Sequence, residues 1–174
     1  MSLVVFAHGK ESGPWGTKSL ALAAVARRLG WRFLSPDLSS TLEAEERIAL
    51  FLDALPADRG TLVLIGSSMG GYVATCASAR FRPAGLLLLA PALYLPGYRN
   101  QDPSPCAGRT VVVHGRDDDL IPPAHAWRFA ERHGAEFHLL PDQHPLTGSV
   151  PFLEALLERL LRELTPGNPF AAHL

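Results

Sequence analysis

Ser68 stands at the centre of Gly66-Ser67-Ser68-Met69-Gly70, a G-x-S-x-G run that leaves the apolar segment Leu62-Val63-Leu64-Ile65 and enters a segment of helical period. A serine at such a strand-to-helix turn projects its Oγ above the sheet edge, and the small residues Gly66 and Gly70 let the strand and helix backbones approach each other there. The next backbone N–H, that of Met69, opens the helix, where unpaired donors and the helix dipole favour a developing oxyanion. A hydroxyl is a weak nucleophile until a base takes its proton, so this chemistry also needs an imidazole and a carboxylate within reach. Two later segments supply them: His114-Gly115-Arg116-Asp117-Asp118-Asp119-Leu120-Ile121-Pro122, and Asp142-Gln143-His144-Pro145-Leu146. A G-x-S-x-G run by itself arises by chance; three segments that each follow a strand, in the order Ser, Asp, His, make the reading.

Six short β-branched or Leu-rich runs alternate with longer segments of helical period, the pattern of repeated βα units and a mostly parallel sheet. The strands are expected at Leu3 to Ala7, Trp31 to Ser35, Thr61 to Gly66, Gly85 to Ala90, Thr110 to His114 and Glu136 to Leu140. Helices are expected at Thr17 to Leu29, ending at Gly30; from a Ser40/Glu43 capping box to Leu55; at Met69 to Arg80; at Pro123 to His133, ending at Gly134; and at Val150 to Leu164. Pro91 to Gly108 is the longest stretch without periodicity, and residues 165–174 read as a frayed tail.

The 174 residues, 47% hydrophobic and 19% charged, suit one domain over 1–174 with a packed core. Sixteen basic against 17 acidic residues leave a formal charge of −1, without the basic footprint of a nucleic-acid binder. All but two of those 16 basic residues are arginine; the exceptions are Lys10 and Lys18. No apolar run reaches the roughly 20 residues a membrane helix needs. The N-terminus lacks the features of a signal peptide, so a cytoplasmic location is the expectation. Cys76 and Cys106 make no disulfide framework, and the aspartate run at 117–119 has no histidine at ligand spacing beside it, so neither a metal nor another cofactor is expected.

On these residues the chain resembles the α/β-hydrolase superfamily, and within it the small lid-less bacterial esterases. The resemblance rests on His8-Gly9 after the first strand, Gly66 to Tyr72, Pro91-Ala92 after the fourth strand, the H-G-x-x-D-x-x-I-P run at His114 to Pro122, and His144. It implies Ser68 as nucleophile, His144 as general base and then acid, and Asp118 as the residue that orients the imidazole. It places the second oxyanion donor after His8-Gly9, at the Lys10 backbone N–H, where relatives commonly carry a bulky apolar residue. The chain begins at what would be the family's third strand. The implied fold is therefore a three-layer α/β/α sandwich with a six-stranded parallel sheet in the order 2-1-3-4-5-6 and no lid domain.

Other residues have blander readings beside these. Among the three aspartates the family register selects Asp118, leaving Asp117 and Asp119 to cap the turn or face solvent. His8 and His114 are expected to hydrogen-bond to backbone, His125, His133 and His173 to be solvated, and Cys76 to be a packed hydrophobe. Trp15, Tyr94, Tyr98 and Leu146 fall in loops over the active edge, where they either line an acyl or alcohol pocket or cover the core. The expected activity is hydrolysis of a small carboxylic ester or thioester through an acyl-enzyme. The alternative is a ligand-binding or protein-interaction module that retains the triad with little turnover.

Overall fold

The computed structural model describes residues 1–165; the expected frayed tail beyond Thr165, with His173, lies outside the described residues. Six strands, β1 (Leu3–Ala7), β2 (Arg32–Leu34), β3 (Leu62–Ser67), β4 (Gly85–Leu89), β5 (Arg109–Gly115) and β6 (Glu136–Leu140), form one sheet in the order β2-β1-β3-β4-β5-β6. Every pairing is parallel. The helices are α1 (Thr17–Arg28), α2 (Ala44–Ala54), α3 (Met69–Phe81), α4 (Pro123–His133) and α5 (Val150–Leu164). The expected order and element boundaries hold to within a few residues. Gly30 (φ 77°) follows the end of α1, and Gly134 (φ 62°) ends α4, both in the left-handed conformation that glycine adopts without a Cβ clash.

Continuous apolar strands arise because both faces of this sheet are covered. Alternate residues divide between two cores. Leu3, Val5, Leu64, Leu86 and Val112 pack with Phe51 of α2, Tyr72 of α3 and Phe129 of α4. Val4, Phe6, Ile65, Leu87 and Val113 pack with Leu22 of α1 and Leu153, Leu157 and Leu161 of α5. The three layers follow from this period-2 division.

The start of α2 differs from the expected capping box. Ser40 does not cap it; the N-cap is Glu43, in extended conformation and without a side-chain cap bond. Thr41 takes the local role instead, its Oγ1 accepting the Glu43 N–H at 3.1 Å and donating to Glu46 at 2.5 Å. The competing hydroxyl one residue later wins because it can bridge both the turn and the first helical turn.

At the edge of the sheet, Glu136 on β6 holds Arg109 of β5, Arg159 of α5 and its neighbour His138. Burial works against this carboxylate, but hydrogen bonds from Arg109, Arg159 and His138 outweigh it and hold its pKa at about 2. A folded-state pKa below the unfolded value contributes stability that is present above the ordinary glutamate range and is lost as pH falls toward about 2.

Two predictions follow from packing and charge. A Cβ at Gly70 would lie 2.0 Å from the Ala7 carbonyl oxygen, backbone against backbone, whereas one at Gly13 would meet nothing within 4 Å. Gly70→Ala is expected to cost about 3 kcal/mol or more, or to prevent folding. Gly13→Ala stays within about 0.5 kcal/mol of the parent; denaturant unfolding compares the two. Glu136→Gln is expected to lower stability by about 1 kcal/mol at neutral pH, discounted for solvent screening. That difference should close as pH falls to about 2, which unfolding midpoints measured across the acid range will show.

Candidate active site

The carboxyl ends of β3, β5 and β6 deliver three side chains to one place. Ser68, between β3 and α3, has φ 56° and ψ −122°, a conformation an L-residue adopts only when its surroundings impose it. The surroundings here are hydrogen bonds on both sides of the residue. Its N–H donates to the Leu89 carbonyl (3.0 Å), and its own carbonyl accepts from Gly71 (2.8 Å) and Ala92 (2.9 Å). Glycine is required on either side of it. A Cβ at Gly66 would sit 2.2 Å from the Gly70 carbonyl oxygen, so strand and helix can meet at this distance only without it.

His144 Nε2 lies 3.0 Å from Ser68 Oγ, and His144 Nδ1 lies 2.7 Å from Asp118 Oδ2. With the ionised carboxylate on Nδ1, the neutral ring carries its proton there and turns the Nε2 lone pair toward the Ser68 hydroxyl. The imidazole side chain is 14% exposed and the Asp118 side chain not at all. Burial separates the three aspartates: Asp118 points inward, whereas Asp117 is exposed and pairs with Arg116, and Asp119 is exposed.

Asp118 is saturated with donors. Its Oδ1 accepts the N–H groups of Leu120 and Ile121, both at 2.9 Å. Burial opposes its ionisation, but those N–H groups and His144 outweigh the cost and hold the carboxyl below the usual aspartate range. A further contact to this carboxylate was not legible in the sequence. Fully buried His114 Nε2 is 3.0 Å from Asp118 Oδ2 as well as 3.0 Å from the Ile121 carbonyl oxygen. Its Nδ1 has no hydrogen-bond partner, which assigns the ring proton to Nε2, and burial lowers its pKa so that the ring stays neutral. The expected backbone contact of His114 is present; the contact to the carboxylate depends on how the 115–121 turn folds back, which no local pattern encodes.

A second missed residue is Arg47. It lies fully buried on the inward face of α2 with Ala44 and Phe51. Its guanidinium donates to three carbonyl oxygens, of Gly9 (2.8 Å), Lys10 (2.9 Å) and Thr41 (2.8 Å). The sequence did hold a signal, a charged residue at a core-facing position of an amphipathic helix. The Gly9 carbonyl also accepts from Nδ1 of buried His8 at 2.9 Å, while His8 Nε2 accepts the Leu38 N–H at 2.9 Å. His8 thus shapes its loop through backbone contacts, as expected. Because a trans peptide sets its N–H opposite its C=O, the pull on the Gly9 carbonyl turns the Lys10 N–H away from Arg47. Gly9 itself lies against the nucleophile turn, a Cβ there falling 3.4 Å from Ser68 Cβ.

The four expected pocket residues do not line the cavity at this edge. That cavity, about 170 Å³, lies between the Gly9–Gly16 loop and the loop after His144, with Phe6, Gly9, Ser12, Lys18, Ser67 and Pro145 among its walls. Leu146 is instead fully buried in the core with α5, its left-handed φ of 53° turning it inward to anchor the His144 loop. Trp15 lies on Phe33 and under Arg27, Tyr94 packs between His125 and Arg128, and Tyr98 rests on Tyr72 with ring centroids 4.4 Å apart. These aromatics cover the core because each finds a ring or cation beneath its loop. His125 and His133 are also half-buried rather than solvated, His125 Nδ1 reaching the Leu93 carbonyl oxygen at 2.8 Å. Cys76 packs against the core and burial pushes its thiol up to about 11, which suits a hydrophobe and not a nucleophile.

Removing Arg47 takes this donor from the Lys10 and Thr41 carbonyls and leaves the Gly9 carbonyl without its guanidinium contact. Arg47→Met is expected to cost about 3 kcal/mol in denaturant unfolding and to raise amide exchange across residues 9–11. Arg47→Lys should recover little, since one ammonium cannot reproduce the planar fork that reaches three oxygens.

Among the described residues no helix is long and apolar enough to cross a membrane. A comparison with curated proteins finds no match. The family model described as alpha/beta hydrolase family matches residues 4–173. Among solved structures, a protein of the alpha/beta superfamily of hydrolases from Xanthomonas campestris pv. campestris is 31% identical, with a TM-score of 0.87 over 94% of this chain and 100% of that one. The mouse alpha/beta hydrolase domain-containing protein 10 matches with a TM-score of 0.82 at 19% identity, over 94% of this chain and 90% of that one. A second Xanthomonas campestris protein, described as an a/b serine hydrolase without lid, matches with a TM-score of 0.73 at 20% identity, over 96% of this chain and 84% of that one. With its six parallel strands in this order and a family match over nearly its whole length, the chain belongs to the α/β-hydrolase family.

Proposed function

We propose that this hydrolase cleaves small carboxylic esters or thioesters through an acyl-enzyme on Ser68. One observation carries the reading: the unbroken hydrogen-bond chain from Ser68 Oγ through His144 to a buried, fully hydrogen-bonded Asp118. As the Ser68 oxygen forms its bond to the acyl carbon, His144 Nε2 takes the hydroxyl proton, and the resulting imidazolium is stabilised by Asp118. Asp118 does not take that proton, because all its donors favour the ionised form.

The carbonyl oxygen becomes the tetrahedral oxyanion, and its donors are the Met69 N–H at the first turn of α3 and the Lys10 N–H turned outward by the Arg47 contact. Breaking the bond to the leaving oxygen or sulfur restores the carbonyl, and His144 returns its proton to that atom. Water then attacks the acyl-enzyme as His144 takes one of its protons, and collapse releases the acid and the Ser68 hydroxyl. The small cavity beside the Ser68 turn and the lid-less character of one structural relative support an open site that takes short acyl groups.

The test is a panel of short-chain esters and thioesters together with a fluorophosphonate probe. Wild type is expected to be labelled and to turn over several members, and Ser68→Ala should lose labelling and about a thousandfold or more in kcat/KM. Labelling that persists in Ser68→Ala would overturn the proposal.

A further inference from the structure

Lys18 is one of two lysines in a chain whose other basic residues are all arginine. It stands in the first turn of α1, on the wall of the cavity that flanks the Ser68–His144 pair. Its Nζ donates to the Pro145 carbonyl oxygen at 2.6 Å, the residue next to His144. Among the described residues no carboxylate lies within ion-pair distance of it. The ammonium can donate three hydrogen bonds and here makes one to the protein. Asp142 and Asp118 are the nearest acidic influences, yet neither can serve as its partner. Asp142 is turned onto its own loop, accepting from Gln143 N–H and Ser149 Oγ, and Asp118 is occupied by the Leu120 and Ile121 N–H groups and by His144. Partial burial depresses the Lys18 pKa to about 8 against the pull of those two aspartates.

The position of this cation relative to the nucleophile turns an unpaired charge into a specificity element. Ser67 and Pro145, each adjacent in sequence to a member of the Ser68–His144 pair, share the cavity wall with Lys18, and Gly9 closes it beside the Ser68 turn. Apart from Phe6 and Pro145, that wall is mostly glycine, serine and threonine, and Lys18 is the one charged residue on it. The first turn of α1 adds the positive end of a helix dipole on the same side. We infer that this cavity selects substrates bearing a carboxylate a few atoms from the scissile carbonyl, with Lys18 Nζ as the group that recognises it. A lysine suits this better than an arginine: its compact ammonium can hold Pro145 and still present donors to a ligand within a small volume.

The inference rests on the acyl-transfer reading above, and its test separates the two. Two near-isosteric pairs place the charge on either side of the scissile bond. Monomethyl succinate against methyl levulinate puts it on the acyl part, and acetoxyacetate against acetoxyacetone puts it on the leaving part. Wild type is expected to favour the charged member of one pair by about tenfold in kcat/KM, the factor that one charge-assisted contact supplies. Lys18→Met should abolish that preference by lowering kcat/KM for the charged member about tenfold more than for the neutral one, and Lys18→Arg should restore part of it. An NMR titration of Ser68→Ala and of Ser68→Ala/Lys18→Met with the same compounds reads the same selectivity in Kd even without turnover. Equal handling of charged and neutral members by wild type overturns the inference. So does a loss in Lys18→Met shared equally by both members, which would make Lys18 a strut for Pro145 alone. Failure of the acyl-transfer reading would show separately, as absence of fluorophosphonate labelling at Ser68 in wild type.

Discussion

The close approach of three backbones at the Ser68 turn is the constraint on which the rest depends. Gly66 of β3 meets the Gly70 carbonyl of α3, and Gly70 in turn meets the carbonyls of Ala7 and His8 at the end of β1. No side chain fits in either contact. Because the three segments are in direct backbone contact, the Ser68 hydroxyl and the His8–Lys10 loop are held side by side at the point where strand order reverses between β1 and β3. In open α/β sheets that reversal opens the crevice where ligands bind. The strained Ser68 conformation is sustained by its hydrogen bonds to β4 and to the loop that follows it, so the elbow is imposed from outside and not by local preference.

Polar groups then fix what the backbone has brought together. Around Asp118, two backbone N–H groups and two imidazoles converge on one carboxylate that would otherwise be costly to bury. Around Gly9, a guanidinium and an imidazole converge on one carbonyl. Each arrangement uses a fully buried side chain, His114 or Arg47, that has no hydrogen bond to Ser68 or His144 and acts from behind them. The loop after β6 is held differently, by Leu146 in the core, Ser149 on Asp142 and Lys18 on Pro145, which together set where His144 stands.

The elements were legible in the sequence because their causes are local. Apolar runs buried on both faces mark the parallel strands, and glycine marks the helix ends that need a left-handed residue. The start of α2 was misplaced for an equally physical reason: Ser40 and Thr41 offer the same hydroxyl, and only the path of the chain decides which one reaches the helix. Aromatic residues in the loops were ambiguous in the same way, since a ring over an active edge and a ring over a core look alike until the surface beneath it is known. Trp15, Tyr94 and Tyr98 each found that surface on a neighbouring ring or cation.

By itself the sequence determined the six strands and five helices, the strand-to-helix turn at Ser68 and the order in which serine, aspartate and histidine arrive, because periodicity, glycine and chain order are properties of short segments. The choice of Asp118 over its two neighbours needed burial to become physical, and the contacts of His114, Arg47 and Lys18 needed the tertiary structure altogether. Each joins groups distant in sequence or set against each other by an irregular turn, as when Lys18 reaches Pro145 across 127 residues of chain. Their partners are backbone carbonyls or a single buried carboxylate, groups that leave no pattern in composition or spacing and acquire their meaning only when the sheet brings its carboxyl ends to one edge.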